Sequence, residues 1–377
     1  MKSYRSLTYI PNMVEPLKSL FESRGFVFTR ANKFEDYNLY IENRDFLSKD
    51  NFITFMNGNK LMALKHDVTL SIIKNIPNGE LENAQKLYYM DEVYRLSQKT
   101  NEYKVINQLG VELIGSNDPF SNIEIIDLSL HTMAAIGVDF LLDISHIGFI
   151  SGLLENLNLS KASIHQTLSA LHNKSLHLID EILIKEKIYR PTIDNILKIA
   201  NMRLPLPQAL PELSAFCTNN KTKEAFDELE TIAKALKNSP YSDNLFLDFS
   251  TISNMTYYDN IVFSGYCAGI SKSILIGGRY DNLLKKMNKK NGAIGFAVDL
   301  SELDLYQPNE SLYDFDAVLT YPKHVDFSQL MAARDALLTR HSTVRLEHQA
   351  SPLPFKYKTL YFFDQELTQI ENKVAVR

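Results

Sequence analysis

The sequence predicts an α+β chain: an antiparallel sheet flanked by helices, with a helical insertion and a small C-terminal α/β unit. Three observations carry that expectation. Residues 87–115 read as two strands joined by a polar loop. Residues 161–237 are patterned for helices and hold few strand signals, with loops near Pro191 and over 203–211. After Asp314 the pattern turns to strand, helix, strand, loop, strand.

The hairpin at 87–115 organises the rest. Residues 87–96 are rich in tyrosine and valine, which suit a pleated surface. Residues 97–103 are polar and read as a loop. In the second strand Gln108, Gly110, Glu112 and Ile114 alternate with Leu109, Val111 and Leu113, so one face is largely polar and the other apolar. With the apolar face on helices, Gln108 and Glu112 point into open space, and Arg95 ends the facing strand. A glutamine, a carboxylate and a guanidinium on one surface suit a zwitterion: the carboxylate for an amine, Arg95 for an acid or a phosphate. On periodicity alone an ordinary hairpin with a solvated face is the commoner explanation.

In chain order, Val14, Leu17, Leu20 and Phe21 have helical spacing, and Gly25 is a stop. Residues 26–29 are a short strand. Residues 33–48 are less regular, with Phe34, Leu39, Tyr40 and Ile41 expected to be partly buried. Residues 51–56 and 60–64 form a hairpin around Asn57-Gly58. A helix over 70–75 takes Asp67 or Thr69 as its N-cap. Residues 118–137 read as a long helix with an apolar stripe at Ile123, Ile126, Leu130 and Ala134, and a strand follows at 139–145. The proline-rich stretch LPLPQALPEL, residues 204–213, reads as a loop. Strands follow at 245–250, 257–269 and 271–276. Gly277-Gly278-Arg279 then reads as a bulge or tight turn, before a helix at 282–287 and a strand at 292–298. A Pro/Asn/Glu linker at 307–311 divides a core over residues 1–310, with its insertion at about 160–240, from a unit over 311–377.

The composition is that of a globular protein: 377 residues, 45% hydrophobic and 23% charged. A net charge of −5 gives no electrostatic footprint for nucleic acid. No run of apolar residues reaches membrane-spanning length, and no apolar leader opens the chain. Cytoplasm is the expected compartment. Cys217 and Cys267 follow no ligand spacing and read as small hydrophobes in a reducing environment. The nine histidines, among them His66, His131, His146, His165, His172 and His177, show no metal-ligand clustering. No metal, no cofactor and no phosphate loop are expected.

The polar residues that collect beside the hairpin are Asp67, Thr69, Arg95, Gln108, Glu112, Tyr257, Tyr258 and Tyr280. Two carboxylates and a glutamine hold an ammonium or an imidazole, and tyrosines add hydroxyls and a flat wall. Each also has an ordinary structural explanation: strand tyrosines are usually core residues with a satisfied hydroxyl.

Six ordered segments resemble a known family. They are LKHDVTLSI (64–72), YYMDEVYR (88–95), NQLGVELIG (107–115), YYDNIVFSGY (257–266), GGRYDNL (277–283) and GAIGFAVDL (292–300). Together they resemble the catalytic core of histidyl-tRNA synthetase over roughly residues 18–303. Within that superfamily the chain is most similar to the regulatory subunits of ATP phosphoribosyltransferase. The resemblance implies a class II aminoacyl-tRNA synthetase-like sheet. It also implies that Asp67, Thr69, Arg95, Gln108, Glu112, Tyr258 and Tyr280 stand where the synthetase cradles histidine, with Tyr257 beside them.

The departures fall on the nucleotide side. The synthetase block RGLDYY is SNMTYY here, so Ser253 stands where an arginine would neutralise the reacting carboxylate. Glu302 stands where the last segment has an arginine on the triphosphate. The nucleotide-holding glutamate and arginine of the second segment look replaced or deleted within 96–104. Phosphoryl chemistry builds negative charge that needs cations, so adenylate formation is not expected. The resemblance thus implies a non-catalytic regulatory subunit in histidine biosynthesis. It would activate the short catalytic subunit of ATP phosphoribosyltransferase in a hetero-oligomer, pair with itself as a dimer, and relay feedback inhibition by histidine. Histidine would bind in this pocket or at a subunit interface. Two alternatives stand beside this: a divergent synthetase-like enzyme that activates an amino acid with ATP, and a scaffold with a vestigial pocket.

Overall fold

The computed structural model describes residues 9–47, 52–79, 81, 83–97, 100–251, 257–305, 313–348, 353 and 355–372. The chain divides into a large unit within 8–306 and a small unit beyond it. The large unit begins with α1 (Tyr9–Ser23), β1 (Val27–Phe28), β2 (Phe34–Asp36), α2 (Tyr37–Glu42), β3 (Thr54–Asn57), β4 (Lys60–Leu64) and α3 (Val68–Asn75). The hairpin β5 (Gln85–Leu96) and β6 (Tyr103–Ile114) follows, then α4 (Pro119–Ala135), β7 (Phe140–His146) and α5 (Ile147–Glu155). The insertion comprises α6 (Lys161–His172), α7 (Leu176–Lys185), α8 (Arg190–Ala200), β8 (Arg203–Pro205), α9 (Leu206–Ser214) and α10 (Asn220–Ala235). The unit closes with β9 (Leu245–Asp248), β10 (Ile261–Cys267), β11 (Leu275–Arg279), α11 (Asp281–Lys286), β12 (Ala293–Asp299) and α12 (Leu300–Leu305).

Among the described residues, nine strands form one sheet in the order β1-β5-β6-β12-β11-β10-β7-β9-β8. Its neighbours run antiparallel except β1 with β5 and β7 with β9. The alternation on β6 decides the layers. Leu109, Val111 and Leu113 pack with Leu17 and Phe21 of α1 and Ile125 and Ile126 of α4. On the opposite face Tyr89 and Val93 of β5 join Tyr40 of α2 and Leu70 and Ile73 of α3. Both faces of the sheet are therefore covered, the second by α2, α3 and the small sheet β2-β4-β3.

The small unit contains β13 (Phe315–Tyr321), α13 (Phe327–Leu338), β14 (Val344–His348), β15 (Tyr357–Asp364) and β16 (Glu366–Asn372), with strand order β14-β13-β15-β16. Its core is Ala317, Leu319, Leu330, Leu337, Tyr361 and Phe363. The last strand lacks an apolar face in sequence, because Leu367 and Ile370 are exposed, and it escaped the pattern for that reason.

Several expectations are corrected. Residues 204–213 are not a loop: β8 ends at Pro205 and α9 runs through the prolines. Pro207 sits in the first turn, where no backbone N–H is needed. Leu206, Ala209, Leu210 and Leu213 are buried at helical spacing, and that burial outweighs the bond lost at Pro211. Gly277-Gly278-Arg279 is neither bulge nor turn but the end of β11. A Cβ on Gly277 would collide with the Phe263 ring, and one on Gly278 would lie 2.6 Å from the Tyr258 ring. The first hairpin turns at Gly58-Asn59, because Asn57 pairs with Lys60 and Gly58 has φ +58°. Residues 34–46 hold β2, α2 and a short 3₁₀ turn, with Leu39 and Tyr40 buried but Phe34 and Ile41 exposed. The linker at 307–311 lies outside the described residues.

The insertion is tied to the sheet by charge. Arg203 on β8 holds both oxygens of Asp143 on β7, at 3.2 and 3.1 Å, and reaches Asp248 on β9 at 3.4 Å. Lys174 donates to Asp248 at 2.6 Å. Both carboxylates are buried, and burial raises the Asp143 pKa against the opposing pull of Arg203. Arg203→Met should lower unfolding stability by roughly 1–3 kcal/mol, between the values for exposed and buried pairs. Urea denaturation checks this; a change inside error would mean that the cluster is dispensable.

Candidate functional site

All eight residues singled out from the sequence line one cavity of about 550 Å³ on the α3 side of the sheet. Asp67 precedes α3, and its Oδ1 accepts from Leu70 N at 2.8 Å, so it is the helix N-cap. The same oxygen lies 3.5 Å from the Tyr257 hydroxyl, and Oδ2 lies 3.8 Å from Arg95 Nη2. Thr69, in the first turn, donates to Glu112 Oε1 at 2.5 Å. Tyr280 donates to Glu112 Oε2. Tyr257 packs edge-on against Tyr258, with ring centroids 4.9 Å apart, and Tyr280 lies 6.0 Å beyond Tyr257. Gln108 and Glu112 sit four residues apart on β6, facing Asp299 and Gly295 of β12.

Glu112 does not point into open space, as the alternation implied. It is 2% exposed, because α3 and the tyrosines close over that face of the sheet. Burial pushes its carboxyl up to about 8, with the nearby Asp67 charge adding to the rise and the Thr69 and Tyr280 hydroxyls opposing it. Burial also raises the phenols of Tyr89, Tyr257, Tyr258 and Tyr280, which therefore stay neutral hydroxyls.

Glycines make the room. Gly295 pairs directly with Glu112, and a Cβ there would collide with the carboxylate. Gly110 pairs with Tyr89, and its Cβ would lie 2.5 Å from the Tyr89 hydroxyl.

Among the cavity residues not singled out from the sequence are Tyr89, Asp299 and His66. Tyr89 shares its face of β5 with Arg95, six residues on, so the alternation contained it. Asp299 is cross-strand from Gln108 and follows from the register alone. His66 carries no sequence signal that marks it as a cavity residue. Burial first and the Arg95 charge second lower its pKa to about 4, so it is neutral. Its Nδ1 lies 3.2 Å from Tyr94 O, which assigns the hydrogen to Nδ1 and leaves Nε2, buried and unpartnered, as a bare acceptor.

Of the cations near the cavity, Lys65, Arg279 and Lys272 are paired with carboxylates, while Arg95 commits only its Nε and lines the cavity. Arg95 donates to His66 O at 3.1 Å and lies against Asp67. Lys65 is fully buried and paired with Asp91. Arg279 is held by Asp281 at 2.9 Å, Asn122 at 3.1 Å and Ser116 O at 3.0 Å. Lys272 pairs with Glu302 in α12. The loop joining β5 to β6 is short, with Ser97 N donating to Glu102 O at 2.8 Å. Ser253 lies outside the described residues. Among the described residues no group of three or more His, Cys, Asp or Glu side chains is placed to hold a metal ion. No helix among them is long and apolar enough to cross a membrane.

A paired-carboxylate cavity with a tyrosine wall, on a sheet carrying the six ordered segments, now meets the comparison with known proteins. The sequence profile of the histidyl-tRNA synthetase family matches residues 5–303. The chain belongs to that family. The ATP phosphoribosyltransferase regulatory subunit of Oceanobacillus iheyensis is 24% identical over 368 residues, covering 96% of this chain and 90% of the relative. A solved structure described as an ATP phosphoribosyltransferase regulatory subunit/histidyl-tRNA synthetase from Bacillus halodurans superposes with a TM-score of 0.75 at 20% identity, covering 94% and 93% of the two chains. A chain of the HisG:HisZ complex of ATP phosphoribosyltransferase from Thermotoga maritima superposes with a TM-score of 0.60 at 17% identity, covering 77% and 96%. Both likenesses establish the family fold: a mixed α+β core with a helix-flanked sheet.

Two outcomes test this geometry. Because the folded Glu112 keeps a proton that the unfolded chain loses above about 4.5, its contribution to stability is complete below that pH and is lost as pH rises through about 8. Glu112→Gln removes that loss, so its melting temperature relative to the parent should climb between pH 5 and about pH 8 and level off above it. A flat difference across that range would show that Glu112 titrates normally. Gly295→Ala should cost at least ~1–3 kcal/mol, the price of overpacking a closed site; denaturant midpoints measure it.

Proposed function

We propose that this chain is a regulatory subunit of ATP phosphoribosyltransferase, without aminoacyl-adenylate chemistry of its own. It binds the short catalytic subunit in a hetero-oligomer, pairs with itself as a dimer, activates that subunit and relays histidine feedback. It does so as a cytoplasmic protein. The family relationship and the regulatory-subunit name of the Oceanobacillus relative support the assignment, and the Thermotoga assembly is a precedent for the pairing. One observation carries the non-catalytic part. The cavity keeps an amine-binding face at Asp67, Thr69, Glu112 and the tyrosines, and Arg95 is the one cation among the described residues that line it, with Lys65, Lys272 and Arg279 each paired with a carboxylate.

Adenylation needs positive charge on the triphosphate and on the leaving group. Here Asp67 and Asp299 stand in the cavity opposite the single guanidinium of Arg95. Histidine fits the amine-binding face: its ammonium or imidazole meets Glu112, Asp67 and Gln108, and its ring meets Tyr257 and Tyr258. A ligand that binds one assembly state better than another shifts the equilibrium by that difference.

The synthetase alternative has the family profile in its favour, and it is separable. The purified chain mixed with its short catalytic partner should raise the rate of phosphoribosyl transfer and make it sensitive to histidine. Histidine-dependent pyrophosphate exchange by the isolated chain should be absent. An unchanged partner rate, or exchange at a synthetase-like rate, would reject the proposal.

A further inference from the structure

We infer that Arg279 is a positioning residue for the cavity: from the opposite face of the sheet it fixes Tyr280, and through the Tyr280 hydroxyl it fixes Glu112. The part that concerns ligand affinity rests on the cavity being the amino-acid site proposed above.

Consecutive residues at the end of β11 point to opposite faces. Arg279 pairs with Ile294, on the face that packs on α4. Tyr280 belongs to the other core, with Tyr40 and Tyr257, and its hydroxyl donates to Glu112. Arg279 is 5% exposed. A guanidinium carries five N–H donors in a rigid fork, and here each has an acceptor. Nε donates to Asp281 Oδ2 at 2.9 Å. Nη1 donates to Asn122 Oδ1 at 3.1 Å and Ser121 Oγ at 3.4 Å, in the first turn of α4. Nη2 donates to Ser116 O at 3.0 Å and Asn117 Oδ1 at 3.4 Å, in the segment joining β6 to α4. Gly292 leaves the space, since a Cβ there would collide with Nη2.

The same set of bonds clamps Tyr280. Its N–H donates to Ala293 O at 2.9 Å, and Ala293 N donates to Asp281 Oδ1 at 2.9 Å. Asn117 Oδ1 also accepts from Gly292 N at 2.8 Å. The guanidinium thus holds Asp281, on one side of Tyr280, and the start of β12, to which the Tyr280 backbone is bonded. While that set stands, the phenol stays on Glu112. Thr69, the other donor to this carboxyl, comes from α3. The titratable groups that face Glu112 are Asp67 ahead of α3, Tyr89 on β5, Tyr257 and Tyr258 ahead of β10, and Tyr280 itself, with Arg95 lining the same cavity. Arg279, across the sheet and paired with Asp281, acts on the carboxyl through Tyr280.

The test uses the full chain. The melting temperature of each variant is compared with that of the same variant carrying Glu112→Gln, from pH 5 to pH 10, and the pH at which the difference levels off is read. In the parent this is about 8. Tyr280→Phe deletes a donor that favours the carboxylate, so the levelling point should rise by about one pH unit. Arg279→Lys keeps the charge opposite Asp281 and loses the fork. It should also raise the levelling point, and adding it to Tyr280→Phe should raise it no further. Asn122→Ala, which leaves the arginine in place, should give a smaller rise and serves if Arg279→Lys does not fold. Variants that melt earlier with the levelling point at the parent's value overturn the inference, because a purely structural role does that. So does a full Arg279→Lys shift added on top of Tyr280→Phe. Calorimetry with histidine runs in parallel: Arg279→Lys should weaken binding to the same extent as Tyr280→Phe. A parent that takes up no histidine defeats the amino-acid reading, and the pH shifts still decide the role of Arg279.

Discussion

The pairing of Gly295 with Glu112 is the constraint on which the site depends. A carboxyl on the inner face of a nine-stranded sheet has space only because the residue across from it has no side chain. Were a methyl group there, Glu112 would have to leave the position in which Thr69 and Tyr280 satisfy both its oxygens. Thr69 belongs to the first turn of α3 and Tyr280 leads from β11 into α11, so one carboxyl on β6 ties a helix to the end of a strand two places away in the sheet. Buried acids are tolerated when fully bonded and are expensive otherwise. Burial outweighs those two bonds and raises the Glu112 pKa, so the carboxyl holds its proton until a cation or higher pH draws it off.

Much of this arrangement was legible in the chain, and the reasons are local. Alternation on β6 put Gln108 and Glu112 on one face and Leu109, Val111 and Leu113 on the other, because a strand reports its two faces directly. A cap at Asp67 or Thr69 was legible, since caps are chosen by the backbone N–H groups two and three residues on, and the bond to Leu70 N selects Asp67. The burial of Glu112 was not legible: periodicity says which face a side chain is on, and says nothing of what covers that face. Asp299 and Tyr89 needed strand register, which couples residues far apart in sequence. The glycines of β11 were misjudged because glycine is read as a turn former, whereas here it admits the Phe263 and Tyr258 rings. The prolines of α9 were misjudged for the opposite reason: four buried side chains at helical spacing outweigh one missing backbone bond.

The fold also decides where its positive charge goes. Arg279 is held by Asp281 and a ring of amide and carbonyl oxygens at the start of α4. Lys65 is buried against Asp91, the half-exposed Arg203 pairs with Asp143 and Asp248, and Lys272 pairs with Glu302. Each pair is a structural use of a group that could otherwise hold phosphate. A guanidinium committed to a carboxylate at about 3 Å contributes little to a distant anion. The character of the cavity therefore follows from the whole set of pairings around the sheet, and restoring a single arginine would leave Asp67 and Asp299 in place.

Asp67 links the cavity to the framework. Its Oδ1 serves Leu70 N and faces the Tyr257 hydroxyl, and its Oδ2 faces Arg95. An N-cap is worth roughly 1 kcal/mol to its helix, and couplings between sites are typically ~1–3 kcal/mol. The two magnitudes match, so the cap alone is large enough to carry a signal. A cation that settles on Asp67 competes with Arg95 for Oδ2, and Arg95 in turn holds the carbonyl of His66, the residue that leads into α3. One carboxylate therefore both caps α3 and lines the cavity. Linkage requires the exchange to run both ways: whatever steadies that turn from outside the cavity must alter the affinity within it by the same factor.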